Sequence, residues 1–186
     1  AFDVVLQAES GFLHMTGEPG RPPVKMPVAL IDLLAAHQLK EGILLALLRR
    51  ERTGLGGVVR TSLMEAAVAS LANQATNWLM GGIVPQRLGC RHPNIAPYGD
   101  IFTAKDGKHL VIAAGTEAQF QRLCGCLELE ELLTDDRFAA NAARVRHRAE
   151  LLQTLAPAFR RSDRSDLMDR LLAWEVPAGA VRDLSE

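Results

Sequence analysis

The sequence predicts an α+β chain that is mostly helical: two long helices in the first half, then a small α+β unit with a β-hairpin. Three observations carry that prediction. Residues 29–52 form one apolar run that turns basic at its end, with Arg49, Arg50 and Arg52 placed against the negative pole of a helix. Residues 63–80 are Ala-rich, with apolar side chains three and four positions apart. Farther on, Lys105-Asp106-Gly107 lies between two strand-like segments, 100–104 and 108–114, as in a hairpin with a tight Asp-Gly turn.

The remaining elements follow in order. Val5, Leu6, Phe12 and Leu13 have helical spacing, so residues 2–13 read as a helix broken near Gly11. Gly17 to Pro23 is a loop by its Gly and Pro content. Pro27 is suited to open the next helix, and Thr53-Gly54-Leu55-Gly56-Gly57 stops it. Val58 to Thr61 is a short strand candidate, and Ser62 is a good N-cap for the helix after it, which Gly81-Gly82 ends. Residues 84–100 form a long loop rich in Pro, Gly and Asn, and loops of that length are more often functional than idle. Helices are expected at 116–127, 141–160 and 163–174, the last with Asp163 as N-cap, before an extended end at 176–181. The expected domains are 1–98, with the long helices, and 99–186, the small α+β unit.

Composition narrows the function classes. The formal net charge of the 186 residues is -1, so no bulk attraction draws the chain to nucleic acid or to an anionic membrane. No apolar run approaches the roughly 20 residues that span a bilayer. The three cysteines, Cys90, Cys124 and Cys126, are odd in number and irregular in spacing, which fits a reducing cytoplasm. Cys124-Gly125-Cys126 has no second Cys or His pair nearby, so buried packing rather than a metal site is expected. The chain opens on Ala1-Phe2-Asp3 with no signal-peptide pattern and reads as one entered in mid-structure.

Asp32 stands out because Val28 to Ala36 holds no other polar side chain. A carboxylate buried among such neighbours must be capped, paired, held neutral or used for chemistry. Capping is the simpler role, but a helix opened by Pro27 would put Asp32 in its second turn, where capping is poor. Kept dry, it would be an activated nucleophile. The segment His92-Pro93-Asn94-Ile95-Ala96-Pro97-Tyr98 mixes rigid prolines with polar rings and an amide, and reads either as a packed connection or as a wall of a ligand pocket. Gly54-Leu55-Gly56-Gly57 follows a helix and precedes no Lys-Ser/Thr, so it is no phosphate loop. Arg144-Val145-Arg146-His147-Arg148 reads as a solvated helix face, as do Arg49, Arg50 and Arg52. His14, His37, His109 and His147 show no triad or metal spacing.

Taken together, these residues resemble the class III CoA-transferases, the family of formyl-CoA transferase, succinyl-CoA:glutarate CoA-transferase, carnitine CoA-transferase and α-methylacyl-CoA racemase. The likeness rests on Phe2-Asp3, Gln7-Ala8, Ser10-Gly11, Thr16-Gly17-Glu18, Asp32, Gly42-Ile43-Leu44, Arg52-Thr53-Gly54-Leu55-Gly56, His92-Pro93-Asn94, Pro97-Tyr98, Asp106-Gly107 and Val176-Pro177-Ala178-Gly179, in that order. It implies that Asp32 is the nucleophile that moves CoA between carboxylic acids through a mixed anhydride and an aspartyl-CoA thioester. It further implies that Phe2, His92, Asn94 and Tyr98 bind substrate or CoA. The coenzyme A thioester would be a substrate, with no permanently bound cofactor and no metal. The long helices would belong to the family's large domain, and the chain would be part of an interlocked homodimer whose members are about twice as long. Racemase-type members carry a His thirty residues before the aspartate, where this chain has Phe2. A phenyl ring carries no proton, which favours transfer over racemisation. A racemase, a carnitine-dehydratase-like enzyme, or an inactive fragment used only for binding and assembly remain the alternatives. The sequence does not name the acyl donor or acceptor.

Overall fold

A computed structural model describes residues 2–186. The chain forms two compact units, Ala1–Gly89 and Cys90–Glu186. The division falls ahead of the His92–Tyr98 loop rather than after it, because the hydrogen bonds of that loop run into the second unit.

The first unit is helical. Helices α1 (Asp3–Glu9) and α2 (Phe12–Met15) meet at Gly11, whose φ of 91° breaks the run where the sequence predicts. Helix α3 (Leu30–Thr53) ends on Gly54 in the left-handed conformation, which gives its N–H to Arg50 O. Pro27 does not open it: the helix starts three residues later, so Asp32 lies in the first turn, not the second. Val58 to Thr61 is not a strand, since the described residues of this unit offer no other strand to pair with. Ser62 caps α4 (Leu63–Ala69) in a reciprocal box with Glu65. The single helix expected over 63–80 is two, α4 and α5 (Ala72–Gly81). Ser70 returns its hydroxyl to Ala66 O at 2.7 Å and Ala72 adopts a positive φ, a break that apolar spacing alone does not signal. The core is small: Leu6, Ile31 and Ala67 are buried, with Phe12, Leu34, Leu63 and Met64 against them. Helix α3 buries only Ile31 and Ala35, and leaves Leu33, Ile43, Leu44, Leu45 and Leu48 exposed.

The second unit packs helices on a three-stranded antiparallel sheet of order β1-β2-β3, with β1 Tyr98–Thr103, β2 His109–Ala113 and β3 Ala178–Ala180. The hairpin of β1 and β2 turns where Lys105-Asp106-Gly107 predicts it. A bulge between Tyr98 and Asp100 shifts the register. Gly99 sits in this bulge at φ 78°, and a Cβ there would meet Cys90 O at 1.9 Å. Thr116 caps α6 (Glu117–Leu127) with Gln119 in a second capping box. A 3-10 turn, Glu130–Thr134, follows. The helix expected over 141–160 divides at His147 into α7 (Asn141–Arg146) and α8 (Arg148–Phe159). Helix α9 (Arg164–Ala173) begins after Asp163, whose side chain makes no capping bond. Phe102, Leu110, Ile112, Phe120, Leu123, Leu151, Leu155 and Phe159 form a continuous core. Cys124 and Cys126 are buried in it, as expected, and burial pushes the Cys124 thiol up to about 12.

Leu155 is fully buried. Leu155→Ala is expected to destabilise the second unit by about 2–5 kcal/mol, measured by chemical denaturation; a loss under ~1 kcal/mol would contradict the packing described.

Candidate functional site

In the first unit the site residue is Asp32, and its local structure begins with Asp3. Ala29 precedes α3 and has no side chain that can cap it. Asp3 supplies the missing cap from another helix: its Oδ1 accepts the N–H of Ile31 at 2.7 Å and, more weakly, that of Asp32 at 3.4 Å. Gln7, 1% exposed, donates to Oδ2 of Asp3 at 2.5 Å and accepts the N–H of Met26 at 2.9 Å. The segment leading into α3 and its first turn are therefore fixed by two polar side chains of α1. Sequence reasoning placed Asp3 and Gln7 only among the matching stretches and gave them no role. A carboxylate 29 positions away is not a capping signal that a local motif carries.

Asp32 itself is exposed, and its carboxylate makes no hydrogen bond or ion pair among the described residues. This corrects the expectation of a dry carboxylate. Apolar neighbours in sequence do not enclose it, because Val28 and Leu33 are themselves 51% and 53% exposed and the buried position is Ile31. Phe2, the N-cap residue of α1 next to Asp3, is 80% exposed. An apolar cleft of about 380 Å³ opens in the same unit, lined by residues that include His14, Met15, Leu71, Trp78 and Leu79, but neither Asp32 nor Phe2 lines it.

In the second unit, His92 and Asn94 lie in one loop and Tyr98 where that loop enters β1, with α7 and α8 holding the loop. Arg148 Nη2 donates to His92 O and to Ile95 O, each at 2.6 Å. Asn141 Nδ2 donates to Asn94 O at 2.8 Å, and its Oδ1 accepts the N–H of Ala96 at 3.1 Å. Arg144 Nε donates to Ala96 O at 2.9 Å. Arg144 is 1% exposed, stacks over Phe120 at 4.2 Å and pairs with Glu117 at 2.8 Å. The basic stretch 144–148 is thus not a solvated face: Arg146 is exposed, while Arg144 is buried and the side chain of Arg148 is only 12% exposed. The signal was present as Asn-x2-Arg-x3-Arg across the α7–α8 junction, but Arg146 and His147 between them masked it.

Charge in this loop is arranged around Arg148. Asp100 Oδ2 accepts from Tyr98 N–H at 3.0 Å and from Arg148 at 3.4 Å, while its buried Oδ1 has no partner among the described residues. Burial pushes the Asp100 carboxyl above the usual range, and the Arg148 charge only partly opposes it. His92 Nδ1 accepts the Asn94 N–H at 3.1 Å, and its ring meets Tyr98 edge-on at 5.2 Å. Burial, aided by Arg148, holds the His92 ring below its ordinary range and so favours the neutral form. Among the described residues no cluster of His, Cys, Asp and Glu could hold a metal ion, and no helix is long and apolar enough to cross a membrane.

The candidate residues thus fall in two units: a helical one with a carboxylate at a capped helix start, and a small α+β one that presents a clamped Pro-containing loop. Residues 1–186 match CoA-transferase family III over their whole length, and the chain belongs to that family. It is 41% identical to an acyl-CoA transferase of Fusarium pseudograminearum, covering 96% of this chain and 38% of that protein. It is 37% identical to a succinate–glutarate CoA-transferase of Agrobacterium fabrum, covering 100% of this chain and 46% of that one. The crystal structure of a CaiB/BaiF family protein from Brucella suis is similar at a TM-score of 0.79 and 38% identity, over 100% of this chain and 48% of that one. The chain therefore spans about half the length of the relatives it matches.

Asp3→Ala removes the acceptor at the start of α3. The expected cost is about 1 kcal/mol, read as roughly fivefold faster amide exchange at Ile31 and Asp32; unchanged exchange would contradict the cap. The Glu117 carboxyl is held low chiefly by its hydrogen bond to Arg144. A carboxyl with a lowered folded-state pKa stabilises above its ordinary value, and that stability disappears as pH falls through the lowered one. The stability difference between the wild type and Glu117→Gln is therefore expected at neutral pH and should vanish in acid, as followed by denaturation across pH. A difference that persists in acid would exclude this ion pair as its source.

Proposed function

We propose that the intact protein carrying this chain moves coenzyme A between carboxylic acids, with Asp32 as the covalent nucleophile. The Asp32 carboxylate attacks the carbonyl carbon of a donor acyl-CoA; the C–S bond breaks, CoA thiolate leaves, and a mixed anhydride forms. The thiolate then attacks the Asp32 carbonyl, the donor acid departs as carboxylate, and an aspartyl-CoA thioester remains. The acceptor carboxylate attacks that thioester, and the released thiolate takes the acceptor acyl group, which restores Asp32. Covalent catalysis divides one difficult exchange into easier steps, and no redox or metal chemistry is needed to balance them.

The observation that carries this reading is the end-to-end match to CoA-transferase family III. The position of Asp32 in a first turn capped by Asp3 supports it. Phe2, His92, Asn94 and Tyr98 are the residues proposed to bind the acyl-CoA. Dicarboxylates are the favoured acids, since relatives are named for succinate, glutarate and mesaconate. Phe2 cannot serve as a proton carrier, which supports transfer over racemisation. Asp32 is exposed in this chain, so the dryness an activated carboxylate requires has to come from bound substrate and from protein outside these residues. The reading includes a homodimer and a cytoplasmic location, the latter in keeping with three free cysteines.

With succinyl-CoA as donor and a panel of dicarboxylates as acceptors, Asp32→Ala in the intact protein is expected to lower transfer by at least about a thousandfold, with folding unchanged. A variant that keeps a tenth of the wild-type rate would end the assignment.

A further inference from the structure

We infer that Asn141, Arg144 and Arg148 are positioning residues for the proposed transfer: from α7 and the start of α8 they set the backbone of the His92–Tyr98 loop so that it presents the Nε2–H of His92 to an acceptor oxygen of the bound acyl-CoA. The nature of the ligand rests on the transferase reading; the positioning rests on geometry alone.

Within the His92–Ala96 segment the three side chains bind backbone groups. Between them they engage the carbonyls of His92, Asn94, Ile95 and Ala96 and the N–H of Ala96. A surface loop can satisfy such groups with water. Here two cations with little exposure do it instead, 1% for Arg144 and 12% for the side chain of Arg148, and desolvating a guanidinium is costly. The outcome is a loop whose backbone is held by protein groups, with Tyr98 exposed and His92 half-buried. Arg148 also reaches Asp100, which receives the N–H of Tyr98, so one guanidinium secures both ends of the loop.

The loop fixes the chemistry of the ring as well as its place. The Asn94 N–H points at Nδ1 of His92, and an N–H can donate only to an unprotonated nitrogen. The ring proton is thereby assigned to Nε2, which makes no hydrogen bond among the described residues. The Arg148 charge, together with burial, works against the imidazolium. A neutral ring with its N–H outward donates to an oxygen; it does not act as an acid that exchanges its charge during the cycle.

The test uses the intact protein and succinyl-CoA, with Arg148→Lys and Asn141→Asp. Lysine cannot hold two carbonyls and Asp100 in a fork, and aspartate keeps the acceptor for Ala96 N–H but loses the donor to Asn94 O. Each variant is expected to lower kcat/KM for succinyl-CoA by ten- to a hundredfold. Amide exchange should quicken within 92–98 only, and the thermal midpoint should stay near wild type. Arg146→Lys, at an exposed neighbour, should match wild type in every readout. His92→Gln, which keeps a donor near the Nε2 position, should retain more activity than His92→Phe. Wild-type kcat/KM in Arg148→Lys and Asn141→Asp, or exchange that quickens across the whole second unit in step with lost folding, would overturn the positioning role. Equal activity in the two His92 variants would overturn the donor role. If the wild type transfers no CoA, the proposed function falls; exchange in 92–98 then still decides the positioning claim, upholding it if locally faster and overturning it if unchanged.

Discussion

The first unit depends on one oxygen of one carboxylate. Asp3 Oδ1 takes the N–H of Ile31 and so ends the exposed run of free donors at the start of α3. With Ala29 before it, the helix has no cap of its own. Remove the contact and the first turn frays, and Asp32 is in that turn. Gln7 ties the same carboxylate to Met26 and keeps the approaching segment in line. The small cluster of Leu6, Ile31 and Ala67 lies along this joint, so polar and apolar constraints fix the same helix end.

Beyond its first turn, α3 is poorly covered. Leu44, Leu45 and Leu48 stay 59%, 62% and 49% exposed. Apolar surface of that extent is uncommon on the exterior of a monomeric unit. It agrees with a chain that spans about half the length of its relatives. The second unit is the opposite case, with a continuous core and a loop clamped by buried guanidinium groups. Asp100 Oδ1, an acceptor unpaired among the described residues, lies at the bulge where that loop joins the sheet.

Local signals in the sequence read well. Gly11, Gly54, Ser62 and the Asp106-Gly107 turn all act within a few residues, and each element boundary they imply is present. The two long helices that broke did so for reasons apolar spacing does not contain: the back-bonded hydroxyl of Ser70 and the turn at His147. Contacts distant in sequence were not legible. Asp3 capping Ile31, and Asn141, Arg144 and Arg148 gripping residues about fifty positions away, depend on tertiary packing. Asp32 shows the limit most clearly. Its apolar neighbours suggested burial, yet a helix turns successive residues to different sides, and the side that was buried belongs to Ile31.

The central claim is that a covalent intermediate forms on Asp32, and the aspartyl thioester can be caught directly. The intact protein is mixed with succinyl-CoA, quenched with hydroxylamine, digested and mapped by mass spectrometry. The account predicts a hydroxamate on Asp32 and on no other carboxylate. A hydroxamate elsewhere, or none while transfer proceeds, would contradict it.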